Sequence, residues 1–248
     1  MVDALGWRKV FAVIGPSTNT IVQPDMEAMR PAGVTNQYRD IYVEDPAALS
    51  DAAFMAGAQK ITEGMREALR TALTCRPDYL VLGVSAISFM GGQAGAEAFV
   101  AEIQEFTGID ISVGSLATAA ALRAYGGIRR ISILSPYYPM ANDQVRAFFT
   151  DCGFDVVRDL PLRCTSWTHI ARVGEVRLRE ALLELDGPDV DAIVQVGTNL
   201  SMVRLAAQAE GELGKPVVAI NAATYWHALR ANGIADRIDG LGALLQHH

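Results

Sequence analysis

Cysteine is scarce: the chain contains three, Cys75, Cys152 and Cys164, at spacings that form neither a zinc site nor a disulfide framework. A reducing, cytoplasmic compartment is the default for such a chain. No apolar run is long enough to cross a bilayer, and Met1-Val-Asp-Ala lacks the charged-then-apolar layout of a signal peptide. No Gly-x-Gly-x-x-Gly opens a helix, no Walker lysine is present, and no His/Asp/Glu cluster has ligand spacing. Neither a nucleotide cofactor nor a metal is expected. A basic stripe is also missing and the formal charge is −7, which argues against nucleic acid as a partner. That charge says little about a small substrate, because a local pocket can be positive on an acidic protein.

What is present is a duplication. Residues 8–124 and 129–231 read as two copies of one unit. Asp78-Tyr-Leu-Val-Leu-Gly-Val-Ser-Ala-Ile-Ser88 aligns without a gap on Asp191-Ala-Ile-Val-Gln-Val-Gly-Thr-Asn-Leu-Ser201. Upstream, Lys9-Val-Phe-Ala-Val-Ile-Gly-Pro16 answers Arg130-Ile-Ser-Ile-Leu-Ser-Pro136; downstream, Ala117-Thr118 answers Ala223-Thr224. The order holds over roughly a hundred residues, far beyond solenoid periods. At 248 residues the chain suits two halves, here 1–126 and 127–248, meeting at Gly126-Gly127.

Short β-rich runs at 10–14, 37–43, 79–83, 109–113, 131–134, 155–158, 192–196 and 217–220 alternate with segments of helical period. Phe54, Ala58, Ile61, Met65 and Leu69 mark one helix, Val173, Val176, Leu182 and Leu183 another, and Leu213-Gly214 ends a third. Strand–helix alternation with continuous apolar strands predicts α/β architecture: two pseudo-twofold-related, doubly wound parallel-sheet halves with the active cleft between them.

Ligands of open parallel sheets sit beyond the carboxyl ends of the strands. That rule selects loops 15–20, 84–92, 135–142 and 197–201, which contain no Lys, Arg, His, Asp or Glu. Hydroxyls, amides and backbone N–H groups at helix starts suit a carboxylate better than a metal or a nucleotide. Ser85 and Thr198 occupy equivalent positions in the two copies and are expected to face one another.

Gly15-Pro16-Ser-Thr-Asn19-Thr20 after the first strand resembles the entry motif of maleate cis-trans isomerases, and Ser135-Pro-Tyr137 and Ile170-Ala-Arg-Val173 resemble their second-half landmarks. With the duplication, nearly the whole chain is similar to the aspartate/glutamate racemase superfamily, in its maleate isomerase and arylmalonate decarboxylase branch. The resemblance implies cofactor-free chemistry beside a carboxylate, with the carboxylate in a nest of hydroxyls and N–H groups and one or two cysteines as reagents. The positions matching those cysteines are Val84 and Gly197, both inert. Asn19 matches a substrate-binding asparagine, Tyr137 the tyrosine that holds a carboxylate, and Ser85 a family hydroxyl. Pro16 and Thr20 belong to the same binding motif, and Thr198 and Asn199 follow the second missing cysteine. Trp167 stands where the isomerases carry an asparagine and the decarboxylases an apolar residue.

Each candidate has a plainer reading: Asn19, Thr20, Ser85 and Thr198 can cap helices, Trp167 can be core, and Cys164 can be a small buried hydrophobe. Cys164 beside Arg163 could instead supply a relocated thiol, and Ser85 could be a nucleophile if His169 lay within reach. The expected function is a cofactor-independent isomerase or decarboxylase acting on a small carboxylate or dicarboxylate. Decarboxylation or elimination is favoured over two-cysteine racemisation, with Tyr137, Ser85 and Cys164 as catalytic candidates. The alternative is a catalytically lapsed carboxylate-binding protein, favoured if Cys164 faces the core. Exposed helices on both faces leave room for a homo-oligomer.

Overall fold

All eight β-rich runs form strands, and the strands sort into two sheets of four. The computed structural model describes residues 3–45 and 50–248; Met1 and Val2, read above for a leader, lie outside them. The first half contains β1 (Lys9–Pro16), α1 (Val22–Ala28), β2 (Val34–Ile41), α2 (Asp51–Leu73), β3 (Tyr79–Leu82), a 3-10 turn (Ala86–Phe89), α3 (Gly92–Thr107), β4 (Ile111–Ser112) and α4 (Gly114–Tyr125). The second contains β5 (Arg130–Ser135), α5 (Pro139–Asp151), β6 (Asp155–Pro161), α6 (Trp167–Ile170), α7 (Glu175–Leu185), β7 (Ala192–Gln195), α8 (Val203–Leu213), β8 (Val217–Ala219), α9 (Ile220–Ala231) and α10 (Ala243–His247).

The sheets run β2-β1-β3-β4 and β6-β5-β7-β8, every pairing parallel. β3 and β7 are buried along their whole length, as strands covered on both faces must be. The duplication is visible bond by bond. Asp78 accepts from Val10 N and Asp191 from Arg130 N, each at 2.7 Å. Gly83 N donates to Ile14 O at 2.7 Å, and Val196 N to Leu134 O at 2.9 Å.

Helix signals act as expected at α2 and α8. Ser50 accepts the N–H of Ala53 to start α2, and the Phe54–Ala58–Ile61–Met65–Leu69 stripe is buried. Gly214 ends α8 in the left-handed region at φ 65°. Two expectations need correction. On α7 the buried face is Leu178, Ala181, Leu182 and Leu185, while Val176 and Leu183 are exposed; the helix is rotated because its period runs through Leu178. β2 begins at Val34 rather than 37, because pairing with β1 from Lys9 onward, not apolarity, decides its length.

The halves join through α4 and α9, equivalent helices that pack on one another. In each, a threonine bonds back one turn: Thr118 Oγ1 to Gly114 O and Thr224 Oγ1 to Ile220 O, both at 2.7 Å. Gly114 permits the contact, since a Cβ there would lie 2.7 Å from Ile220 Cδ1. Gly114→Val is therefore expected to cost about 1–3 kcal/mol through overpacking. Gly211→Ala on α8, where a Cβ meets nothing, is expected to be neutral or to stabilise by up to about 1 kcal/mol. Urea denaturation of the two variants checks the contrast.

Candidate active site

The carboxyl ends of β1, β3, β5 and β7 converge on a cavity of about 50 Å³. Pro16, Thr18 and Asn19 come from the loop after β1, and Val84, Ser85 and Ala86 from the loop after β3. Pro136 and Tyr137 follow β5, and Gly197, Thr198 and Asn199 follow β7. Ala58 and Ile61 of α2 face Trp167 and Ile170 of α6 across the remaining wall. Each half thus supplies its equivalent loops.

The polar end is a chain of neutral groups. Ser85 Oγ lies 2.5 Å from Tyr137 Oη and accepts the N–H of Thr198 at 3.2 Å. With that N–H donating to Ser85, the serine proton can pass to the tyrosine oxygen, leaving the phenol O–H free to point at an anion. Tyr137 is buried, and burial pushes its phenol well above the usual range against the opposing effect of the Ser85 bond. It is a hydrogen-bond donor at neutral pH, not a phenolate. Thr198 Oγ1 donates to Gly83 O at 2.9 Å and accepts from Asn19 Nδ2 at 3.2 Å. Among the described residues, the N–H groups of Ser85 and Asn199, on the loops that line the cavity, meet no acceptor in the protein.

The sequence candidates divide by what their side chains do. Pro16, Asn19, Val84, Ser85, Tyr137, Trp167, Gly197, Thr198 and Asn199 all line the cavity. Asn19 combines both readings given above: its Oδ1 accepts from Ile21 N and Val22 N at the start of α1, each at 3.0 Å, while Nδ2 faces Thr198. The Asn199 side chain is consumed as a clamp, accepting from Thr20 N and donating to Trp167 O at 3.0 Å and Thr18 O at 3.3 Å. Thr20 contributes that N–H and does not line the cavity. Cys164 is not there either. It is buried in the core, and burial pushes its thiol up to about 11, so the expectation of a relocated thiol gives way to the hydrophobe reading. His169 is engaged by Thr165, with Nδ1 accepting from Thr165 N at 3.1 Å, and Ser85 has Tyr137 and Thr198 as partners instead. The serine-nucleophile reading has no base.

Gly197 explains why its position carries no side chain. Its φ is +106°, and a Cβ there would lie 2.5 Å from Pro136 Cγ. The proline ring fills the space a thiol would need. Sequence reasoning also missed the apolar wall: Ala58 and Ile61 lie on the α2 stripe, whose periodicity reads as core. A second omission is Asn221, buried on α9, which donates to Thr198 O at 2.9 Å and to Asp25 Oδ2 at 2.8 Å. Burial pushes the Asp25 carboxyl up to about 6, against the opposing Asn221 bond and Arg204 charge.

Two predictions follow from these contacts. Gly197→Cys is expected to destabilise the fold by about 2–4 kcal/mol through strain at positive φ and overpacking, while Val84→Cys stays within about 1.5 kcal/mol as a swap of similar volume; thermal melts compare them. Asp25 keeps its proton to a higher pH when folded than when unfolded. Its contribution is therefore complete below about pH 4 and declines as pH rises through 6. Urea titrations from pH 4 to 7 should show that decline, and Asp25→Asn should flatten it.

Comparison with known proteins gives the chain's relatives. The profile of the arylmalonate decarboxylase family matches residues 47–245. Arylmalonate decarboxylase of Bordetella bronchiseptica is 29% identical over 163 residues, covering 64% of this chain and 68% of that protein. Maleate isomerase of Geobacillus stearothermophilus is 26% identical over 121 residues, 48% of each chain, so the match spans about half of that relative. A variant of Nocardia farcinica maleate cis-trans isomerase, solved with a covalently bound succinylcysteine intermediate, superposes with a TM-score of 0.87 at 19% identity, covering 97% of this chain and 99% of that one. The relatives are enzymes, a lyase and isomerases. The chain belongs to the arylmalonate decarboxylase family.

Proposed function

We propose that the chain is a cofactor-independent lyase that removes carbon dioxide from a small malonate-type dicarboxylate. The observation that carries this reading is the polarity of the cavity: a neutral donor chain, Thr198 N–H to Ser85 to Tyr137, stands at one end. At the other is an apolar wall of Ala58, Ile61, Trp167 and Ile170.

In this reading the retained carboxylate sits on Tyr137 and the free N–H groups, and the departing carboxylate lies against the wall. An anion without hydrogen-bond partners is destabilised in apolar surroundings. Heterolysis of the C–C bond releases carbon dioxide and sends the electron pair into the retained carboxylate as an enediolate. The added charge falls on oxygens facing donors already in place, so the transition state gains more than the ground state. A proton from Tyr137 or a bound water then reaches the α-carbon, and solvent restores it. Tyr137 is the sole titratable group among the described residues lining the cavity.

Isomerisation through a covalent cysteine adduct is disfavoured, since no cysteine lines the cavity among the described residues. The burial of Cys164 alone would favour binding without catalysis, but the enzymatic relatives weigh the other way. Proton NMR in D2O with methylmalonate and maleate tests the reading. Methylmalonate should lose carbon dioxide and gain deuterium at the α-carbon, with maleate unchanged. Tyr137→Phe should lower kcat/KM by about 10²–10³, the cost of losing one oxyanion donor, and Cys164→Ala should leave it intact. Fumarate from maleate, or activity lost in Cys164→Ala, would count against the proposal.

A further inference from the structure

We propose that Asn221 is a positioning residue for the reaction above, and that Asp25 acts through it. Asn221 holds the carbonyl of the peptide between Thr198 and Asn199, so that the N–H of the same peptide is presented to the retained carboxylate. The inference rests on the malonate reading above and adds a residue to that site.

A trans peptide is planar, so its carbonyl and its N–H point in opposite directions and turn together. The carbonyl of this one accepts from Asn221 Nδ2 at 2.9 Å, and no other donor among the described residues reaches it. Its N–H, that of Asn199, has no acceptor in the protein among those residues, and Asn199 lines the cavity. Whatever fixes the carbonyl therefore aims the donor.

The amide of Asn221 is itself set one way round. Both protons of its nitrogen are used, the second on Asp25 Oδ2 at 2.8 Å, across from α9 to α1. Turning the amide over would place its oxygen against two oxygens, and neither a carbonyl nor an ionised carboxylate can donate. The orientation is kept even though Asn221 Oδ1 is buried with no partner among the described residues, a loss of about 1–3 kcal/mol. Helix α1 grips Thr198 twice: Asn19, which starts the helix, holds the hydroxyl, and Asp25 holds the carbonyl through Asn221.

The other half pins the same carbonyl by other means. Ser85 O, the equivalent of Thr198 O, accepts from Ser88 Oγ at 2.7 Å within its own loop. Ser115 is the equivalent of Asn221 when Ala117-Thr118 is set on Ala223-Thr224. It meets Ser88 Oγ only with its backbone N–H, at 3.3 Å. Ser201, the equivalent of Ser88, is exposed rather than buried. The long side chain of Asn221 thus does from the helix what Ser88 does from the loop.

The test uses the full chain as wild type, Asn221→Ala, Asp25→Ala, Asp25→Asn and Asp25→Ala combined with Asn221→Ala. Turnover of methylmalonate is followed by NMR, and the amide protons of Ser85 and Asn199 are followed in nitrogen-15 spectra on titration with propionate. Asn221→Ala should lower kcat about ten-fold or more and change KM by less than about three-fold, because a misaimed donor is missed most where charge grows. Asp25→Ala should act in the same direction, and Asp25→Asn, which keeps an acceptor for Asn221 Nδ2, should restore most of the loss. The combined variant should be little worse than Asn221→Ala, since Asp25 acts through Asn221. Propionate should move the Asn199 amide proton in wild type, and Asn221→Ala should lose that response while keeping the one at Ser85. Unchanged kcat in folded Asn221→Ala, Asp25→Asn no better than Asp25→Ala, or single effects that add in full overturns the inference. If Asn221→Ala fails to fold, the two Asp25 variants decide it. If no malonate reacts, the decarboxylase reading falls and the propionate spectra decide the remainder. A response at Asn199 that is lost in the variants then sustains the positioning role; a response absent in wild type, or unchanged in the variants, overturns it.

Discussion

Thr198 reaches from the loop after β7 to the loop after β3, its equivalent in the other half, giving its N–H to Ser85 and its hydroxyl to Gly83 O. The polar end of the cavity is placed relative to this junction. Asn19 is held on the same hydroxyl, Tyr137 on the same serine, and Asn221 on the Thr198 carbonyl. Each such bond is worth only about 0.5–1.5 kcal/mol net, but leaving a buried partner unpaired costs about 1–3 kcal/mol. A shift of one loop would strand several groups together, so the strand ends move as a unit or not at all. The α4–α9 contact behind them, possible because Gly114 has no side chain, keeps the two sheets at the distance the junction requires.

Among the described residues none that lines the cavity is charged, yet the proposed reaction is that of an anion. Neutral donors serve this better than a lysine or an arginine would. A cation would bind the ground-state dicarboxylate strongly and neutralise the departing group as readily as the retained one. Oriented N–H and O–H groups discriminate by geometry and strengthen as charge grows on the oxygen they face. Burial raises the proton affinity of Tyr137, so its O–H is present to donate a hydrogen bond at neutral pH.

The two halves are equivalent in their strands and unlike in their site. Val84 and Gly197 pair in the repeat, but Val84 keeps a side chain on the cavity while Gly197 turns at positive φ against Pro136. Ser85 and Thr198 pair likewise, but one hydroxyl serves the tyrosine and the other braces the loops. Asn221 and Asp25 add a polar tie on one side only. A duplicated frame has become a site with one donor end and one apolar end, the asymmetry on which the proposed loss of one carboxylate rests.

Much of the fold is legible in one dimension because its causes are local. Apolar runs with period two or none make β3 and β7, the stripe from Phe54 to Leu69 makes α2, and Gly214 stops α8 by its tolerance of positive φ. The repeat adds register, pairing Ser85 with Thr198 before any coordinate is known. The rule that strand ends face the ligand brings out Asn19, Ser85, Tyr137, Thr198 and Asn199 for the same reason. The tertiary structure alone decides how each is used. Whether Asn199 binds or clamps, whether Cys164 meets the cavity or the core, and whether Asn221 is filler or a tie to the Thr198 carbonyl depend on residues distant in the chain. Those outcomes come from packing and from which hydrogen-bond partner lies nearest in space, and neither is encoded by spacing along the chain.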